Sequence, residues 1–172
     1  MNWYMLSLTG EDQAGIVAQV TSVLFESGCH LGEASMMRLG SSFSMMLMLR
    51  TDRTSDELLD ALKPVVQALN LHVHLDPMEG GLHRHQIPDV RITVHGADRA
   101  GIVSQVTTRL AEAGLNILDL ESDVGGSDEE PIYIMVIEGL ATQGLEPIEA
   151  LEQELEQQSI DVRIEPIQTY LG

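Results

Sequence analysis

The chain has 172 residues, with 27 Asp and Glu against 9 Lys and Arg, a formal net charge of −18, 44% hydrophobic residues and a single cysteine. That length holds one ordinary domain or two small ones around a genuine core, and so little positive charge excludes a protein that grips nucleic acid through its phosphates or settles on an anionic membrane. No apolar run nears the roughly 20 residues of a spanning helix, Met1-Asn2-Trp3-Tyr4 has no signal-peptide pattern, and a lone Cys29 allows no internal disulfide, so the expected compartment is the cytoplasm.

In chain order, Asn2 to Thr9 reads as a strand that stops at Gly10. Ile16, Val17, Val20 and Leu24 then recur at helical spacing, with Asp12 placed to cap the helix and Gly28 to end it in a left-handed turn. Cys29 to Leu39 and Ser42 to Arg50 read as two strands joined at Gly40-Ser41, Ser55 to Leu69 as a second helix, and Leu71 to Leu75 as a closing strand. Pro77 to Pro88, with Gly80-Gly81 inside it, reads as a linker.

After the linker the pattern starts again. Leu8 to Leu31 aligns without a gap to Val94 to Ile117, 86 residues later, with 12 identities in 24 positions, among them Asp12/Asp98, Ala14/Ala100, Gly15/Gly101, Ile16/Ile102 and Gly28/Gly114. Val90 to His95, a helix stripe of Ile102, Val103, Val106 and Leu110, strands Leu115 to Val124 and Pro131 to Glu138, a helix over Leu145 to Gln158 and a strand over Ile160 to Ile164 repeat the order β-α-β-β-α-β. The expected fold is therefore α+β, two ferredoxin-like βαββαβ units with antiparallel sheets and helices on one face: residues 1–76, a linker over 77–88, and 89–172. The two halves differ in charge, residues 1–86 carrying −5 and residues 87–172 carrying −13.

The repeated loops Gly10-Glu11-Asp12-Gln13-Ala14-Gly15-Ile16 and Gly96-Ala97-Asp98-Arg99-Ala100-Gly101-Ile102 each stand before a helix, where free N–H groups and the dipole suit an anion. Ile-Val follows the second glycine where a nucleotide-binding loop needs Lys-Ser or Lys-Thr, so a P-loop is rejected. What remains fits a small carboxylate on backbone amides with an Asp for an ammonium group, the two ends of a free amino acid. The same residues also serve architecture alone, glycine for close packing and Asp for capping, and on the residues alone that is the simpler reading.

Asp-x-x-Gly-Ile-Val at the first helix, Gly114 followed by Leu115-Asn116-Ile117, and the element order resemble ACT domains, small regulatory modules that bind amino acids. Two such units in one short chain resemble the glycine cleavage system transcriptional repressor family. The resemblance implies units paired side by side, with ligand between the first loop of one and the second strand of another. It points to Asp12, Ala14, Gly15 and Ile16, to Asp98, Ala100, Gly101 and Ile102, and to Asn116 and Ile117 as ligand contacts. In the first unit the matching contact falls on His30, which stands where the second has Asn116, a departure that makes one working site the expectation. The resemblance further implies glycine as the favoured ligand, a homodimer, a LysR-type activator as protein partner and no direct DNA contact; a stand-alone regulatory subunit of an amino-acid metabolic enzyme is the alternative.

Other residues point to plainer roles. His72, His74, His83 and His85 lack the partners of a metal site, Cys29 reads as a buried small hydrophobe, Met36, Met37, Met45, Met46 and Met48 as sheet packing, and Glu149 to Glu156 as a solvated helix face. No nucleophile and base stand at a recognisable spacing and no segment is left for a catalytic domain, so the expectation is a protein that is not an enzyme and needs no cofactor or metal.

Overall fold

The computed structural model describes residues 1–79, 86–96, 101–127, 129 and 131–167, and divides the chain into two compact units, Met1–His83 and Arg84–Gly172. The first contains β1 (Asn2–Glu11), α1 (Ile16–Glu26), β2 (His30–Leu39), β3 (Ser42–Thr51), α2 (Ser55–Ala68) and β4 (His72–Met78). The second contains β5 (Val90–His95), α3 (Ile102–Glu112), β6 (Leu115–Gly126), β7 (Pro131–Ala141), α4 (Glu146–Gln157) and β8 (Asp161–Pro166). Each unit holds one antiparallel sheet, ordered β2-β3-β1-β4 and β6-β7-β5-β8, the α+β βαββαβ arrangement expected.

Alternation along the central strands makes the core. Tyr4, Leu6 and Leu8 of β1 and Phe43, Met45, Leu47 and Leu49 of β3 turn one face inward against Ile16, Val20 and Leu24 of α1 and Leu58, Leu62 and Val65 of α2. Val90, Ile92 and Val94 of β5 meet Ile102, Val106, Leu110, Ile148, Leu151 and Leu155 in the second unit. Helix ends follow local chemistry: Thr54 and Glu57 form a reciprocal capping box at the start of α2, and Gly28 and Gly114 take φ of 74° and 86° just past α1 and α3. Pro64 lies on the exposed face of α2, which continues through it.

Several expectations are corrected. Val17 and Val103 are not in the core, because the second residue of each helix is rotated away from the buried stripe and stays exposed. Met45 and Met48 are buried, but Met36, Met37 and Met46 are exposed, the first two because β2 is a sheet edge with all ten residues open. Gly125 and Gly126, beyond the expected strand end at Val124, are the last residues of β6, and β4 runs through Pro77 into the expected linker. The acidic run on α4 is only in part a solvated face: Glu152 accepts the backbone N–H of Ile164 at 3.0 Å, and Glu154 pairs with Arg109.

Candidate functional site

The mouth of α1 is built by Gly15. Its φ of 90° makes it the residue that turns the chain into the helix, and no side chain caps the first turn. An added Cβ there meets nothing nearer than the Gln19 amide at 3.4 Å, so the glycine answers to the backbone angle and not to close packing. Asp12, expected as the cap, is engaged elsewhere. Its backbone N–H donates to Ser41 O at 2.8 Å in the β2–β3 turn, and its largely buried carboxylate accepts from Arg38 Nε at 2.6 Å. Gln13 Nε2 donates to Leu69 O at 2.9 Å, tying the loop to the end of α2. Ala14 and Gly15 are exposed, while Ile16 is buried and can offer a ligand only its backbone.

The second unit repeats the device, with Gly101 at φ 86° opening α3 and, among the described residues, no side-chain cap and nothing within 4 Å of an added Cβ. Asp98 and Ala100 lie outside the described residues; Ile102 is buried like Ile16. Beside the helix mouth a groove of about 260 Å³ runs between α3 and the β6–β7 hairpin, lined by Val103, Leu120, Ser122, Val124, Tyr133 and Met135 among others. Val124 pairs with Tyr133 as Arg38 pairs with Phe43, so a branched alkyl side chain stands where the first unit holds its guanidinium.

Asn116 and Ile117 sit at the start of β6, and His30 at the start of β2. These strand starts follow the C-terminal ends of α3 and α1, about 16 Å along an 11-residue helix from the glycine at its mouth. Within one unit, therefore, the loop residues and the second-strand residues are not brought together. Asn116 Nδ2 instead donates to Gln86 Oε1 at 3.2 Å. Both second strands bulge just beyond these residues, between Leu31 and Ala34 and between Ile117 and Asp119, and Gly139 is needed opposite because a Cβ would stand 2.6 Å from Asn116 O.

The sequence matches the ACT-domain family over residues 4–76 and again over residues 90–156. The chain belongs to the ACT-domain family. Among solved structures, a protein of unknown function from Galdieria sulphuraria shares the fold of the tandem with a TM-score of 0.71 at 21% identity, covering 97% of this chain and 99% of that one. A candidate glycine cleavage system transcriptional repressor matches with the same TM-score at 14% identity, over 98% of each chain. No curated protein matches the sequence.

Outside the loops of the two ACT domains, the remaining candidates resolve simply. Burial pushes the Cys29 thiol up, against smaller opposing effects of the Thr51 hydroxyl and Arg53, which suits a packed side chain and not a nucleophile. His72 and His74 are exposed on β4, His74 within 3.0 Å of Asp76, and His83 and His85 lie outside the described residues. Among the described residues no three His, Cys, Asp or Glu side chains gather as a metal site, and no helix is long and apolar enough to cross a membrane. Sequence reasoning missed Arg38 and Val124. Extending the 86-residue alignment past Gly28 and Gly114 places them opposite each other, and that exchange of charge for hydrocarbon was the available signal.

Proposed function

We propose that this tandem ACT protein senses a small amino acid and passes its occupancy to a protein partner. The observation that carries the reading is the left-handed glycine opening the first helix of both ACT domains, with no side-chain cap among the described residues: the first-turn N–H groups are the kind of donors that suit a carboxylate, in a family whose fold both halves share. The separation of Asn116 from Gly101 supports a site completed by side-by-side pairing. If two β6 edges align antiparallel, the Asn116 end of one strand comes to the Val124 end of the other, beside its helix mouth. Homodimer formation and ligand contacts at Asp98, Ala100, Gly101, Ile102, Asn116 and Ile117 belong to this proposal.

Glycine is the first ligand to test, and control of glycine cleavage through a LysR-type activator the first regulatory role, since the full-length fold is shared with a candidate repressor of that system. With −18 charges the chain acts on a protein and not on DNA. Ligand-linked control requires different affinity for two states of the assembly. Calorimetric titration with glycine, serine and the other standard amino acids tests the sensor: binding should appear and weaken at least tenfold in Asp98→Ala and Asn116→Ala, and heat from none of them would sink it. A mobility-shift assay with the protein alone should show no retarded DNA; a salt-sensitive shift would overturn the protein-partner mechanism.

A further inference from the structure

Methionine is spread unevenly over the chain: of nine, only Met135 belongs to the second domain. The others divide sharply by burial. Met45 and Met48 are 5% and 2% exposed and Met135 is 1% exposed, whereas Met36, Met37 and Met46 are 52%, 60% and 50% exposed. These three open thioethers meet on one ribbon, β2 and β3. Ser35 pairs with Met46, Met36 with Met45 and Met37 with Ser44. Met37 and Met46 are therefore diagonal neighbours on the helix-free face, at a spacing long side chains can bridge. Met36 shares the other face with Met45 and is open because β2 is the sheet edge. On β1, Ser7 lies opposite Met46 and Thr9 opposite Ser44, so hydroxyl-bearing residues border the Met37–Met46 pair. We propose that Met36, Met37 and Met46 form a reversible oxidation site on the first domain, with a peroxide as oxidant and a thiol as reductant.

The chemistry is a two-electron oxygen transfer. The thioether sulfur attacks one oxygen of hydrogen peroxide, the O–O bond breaks and an S–O bond forms. The attacked oxygen gives up its proton to the departing hydroxide, which leaves as water; sulfur is oxidised and peroxide reduced. Return follows the methionine sulfoxide reductases, in which two thiols become a disulfide and the sulfoxide oxygen leaves as water. Burial decides which sulfurs react, and surroundings decide what the product does. A sulfoxide is polar, so it disrupts an apolar core but costs little where water or a hydroxyl donates to its oxygen. All three exposed sulfurs belong to the second case. Met37 also walls a groove of about 440 Å³ with Thr9, Leu39, Ser42, Ser44 and His72, so oxidation places a hydrogen-bond acceptor where that wall was hydrocarbon and sulfur. The second domain, its one methionine buried, offers a peroxide no exposed thioether.

The test is treatment of the full chain with limiting hydrogen peroxide, following each methionine by peptide mass spectrometry and the fold by circular dichroism. Met45 and Met48 are controls of the same chemistry within the same ribbon, and Met135 is the control in the other domain. Met36, Met37 and Met46 should oxidise at least about tenfold faster than these three, which react only when the structure opens. The protein carrying the three sulfoxides should keep its native spectrum. Incubation with both methionine sulfoxide reductases, one for each epimer, and dithiothreitol should restore the thioethers. Oxidation of Met45, Met48 or Met135 as fast as the exposed three, loss of the native spectrum as the three react, or sulfoxides that the reductases leave in place would each overturn the proposal.

Discussion

The first helix of each ACT domain is entered through the same glycine, at φ 90° and 86°, yet the chain around the two mouths is spent differently. At Gly15 the loop is pinned on three sides, by Ser41, Arg38 and Leu69; at Gly101 the neighbouring strand presents Val124 and leaves a groove. The helix-free sheet faces diverge as well. In the first domain Arg50 lies 5.6 Å from the centre of the Trp3 ring, beside buried Met48 and exposed Met46, whereas in the second Arg91 pairs with Glu138 and Arg163 with Glu165. Duplication has kept the core and the backbone device and has freed the surfaces to diverge.

The largest effect tests what the copies share. Leu6 and Ile92 occupy equivalent, fully buried positions, so Leu6→Ala and Ile92→Ala should each cost about 2–5 kcal/mol in the domain that carries it. Hydrogen exchange resolved by domain checks this; a substitution that loosens the other domain as much as its own would show that the cores are not separate. A smaller effect separates the mouths. Gly15→Ala and Gly101→Ala should each cost roughly 1–2 kcal/mol of left-handed backbone strain, seen by chemical denaturation, but only Gly101→Ala should also weaken amino-acid binding. Equal loss of binding from both would place the two sites on the same footing.

The smallest effect concerns the second helices. Thr54 and Glu57 exchange hydrogen bonds at the start of α2, whereas α4 follows Leu145, which offers no side-chain cap, so Thr54→Ala should cost about 1 kcal/mol at neutral pH with nothing equivalent to lose in α4. The Thr54 N–H, then its hydroxyl, hold the Glu57 carboxyl below the usual carboxylate range. A folded value below the unfolded one adds stability above the unfolded value and loses it as pH falls through the folded one. Melting curves of wild type and Thr54→Ala should therefore draw closer as pH falls, keeping the part of the gap that comes from the Thr54 hydroxyl accepting the Glu57 N–H; a gap that widened there would contradict the capping role.

The elements and the repeat were legible in the sequence because they rest on local period: Ile16, Val20 and Leu24 and their copies could face only one way. Val17 and Val103 were misplaced because an apolar residue next to the buried stripe fits the same period from either side of the core boundary. Asp12 was read as a cap because that position usually is one, but Gly15 enters the helix left-handed and Asp12 turns to Arg38, 26 residues away in sequence and adjacent only once β2 is in place. Met36 and Met37 were assigned to packing because an edge strand and a central strand carry the same alternation. Local readings of the site thus found the loop and not the distant contact that engages Asp12.

The central claim, an amino-acid sensor whose working site lies in the second domain, is tested most directly by backbone amide chemical-shift mapping of the full chain during titration with glycine and then the other standard amino acids. The account predicts saturable shifts at Gly101, Ile102 and the start of β6, with Gly15 and its neighbours unmoved. Shifts at Gly15 and the α1 mouth with Gly101 unmoved, or no shifts with any amino acid, would contradict it.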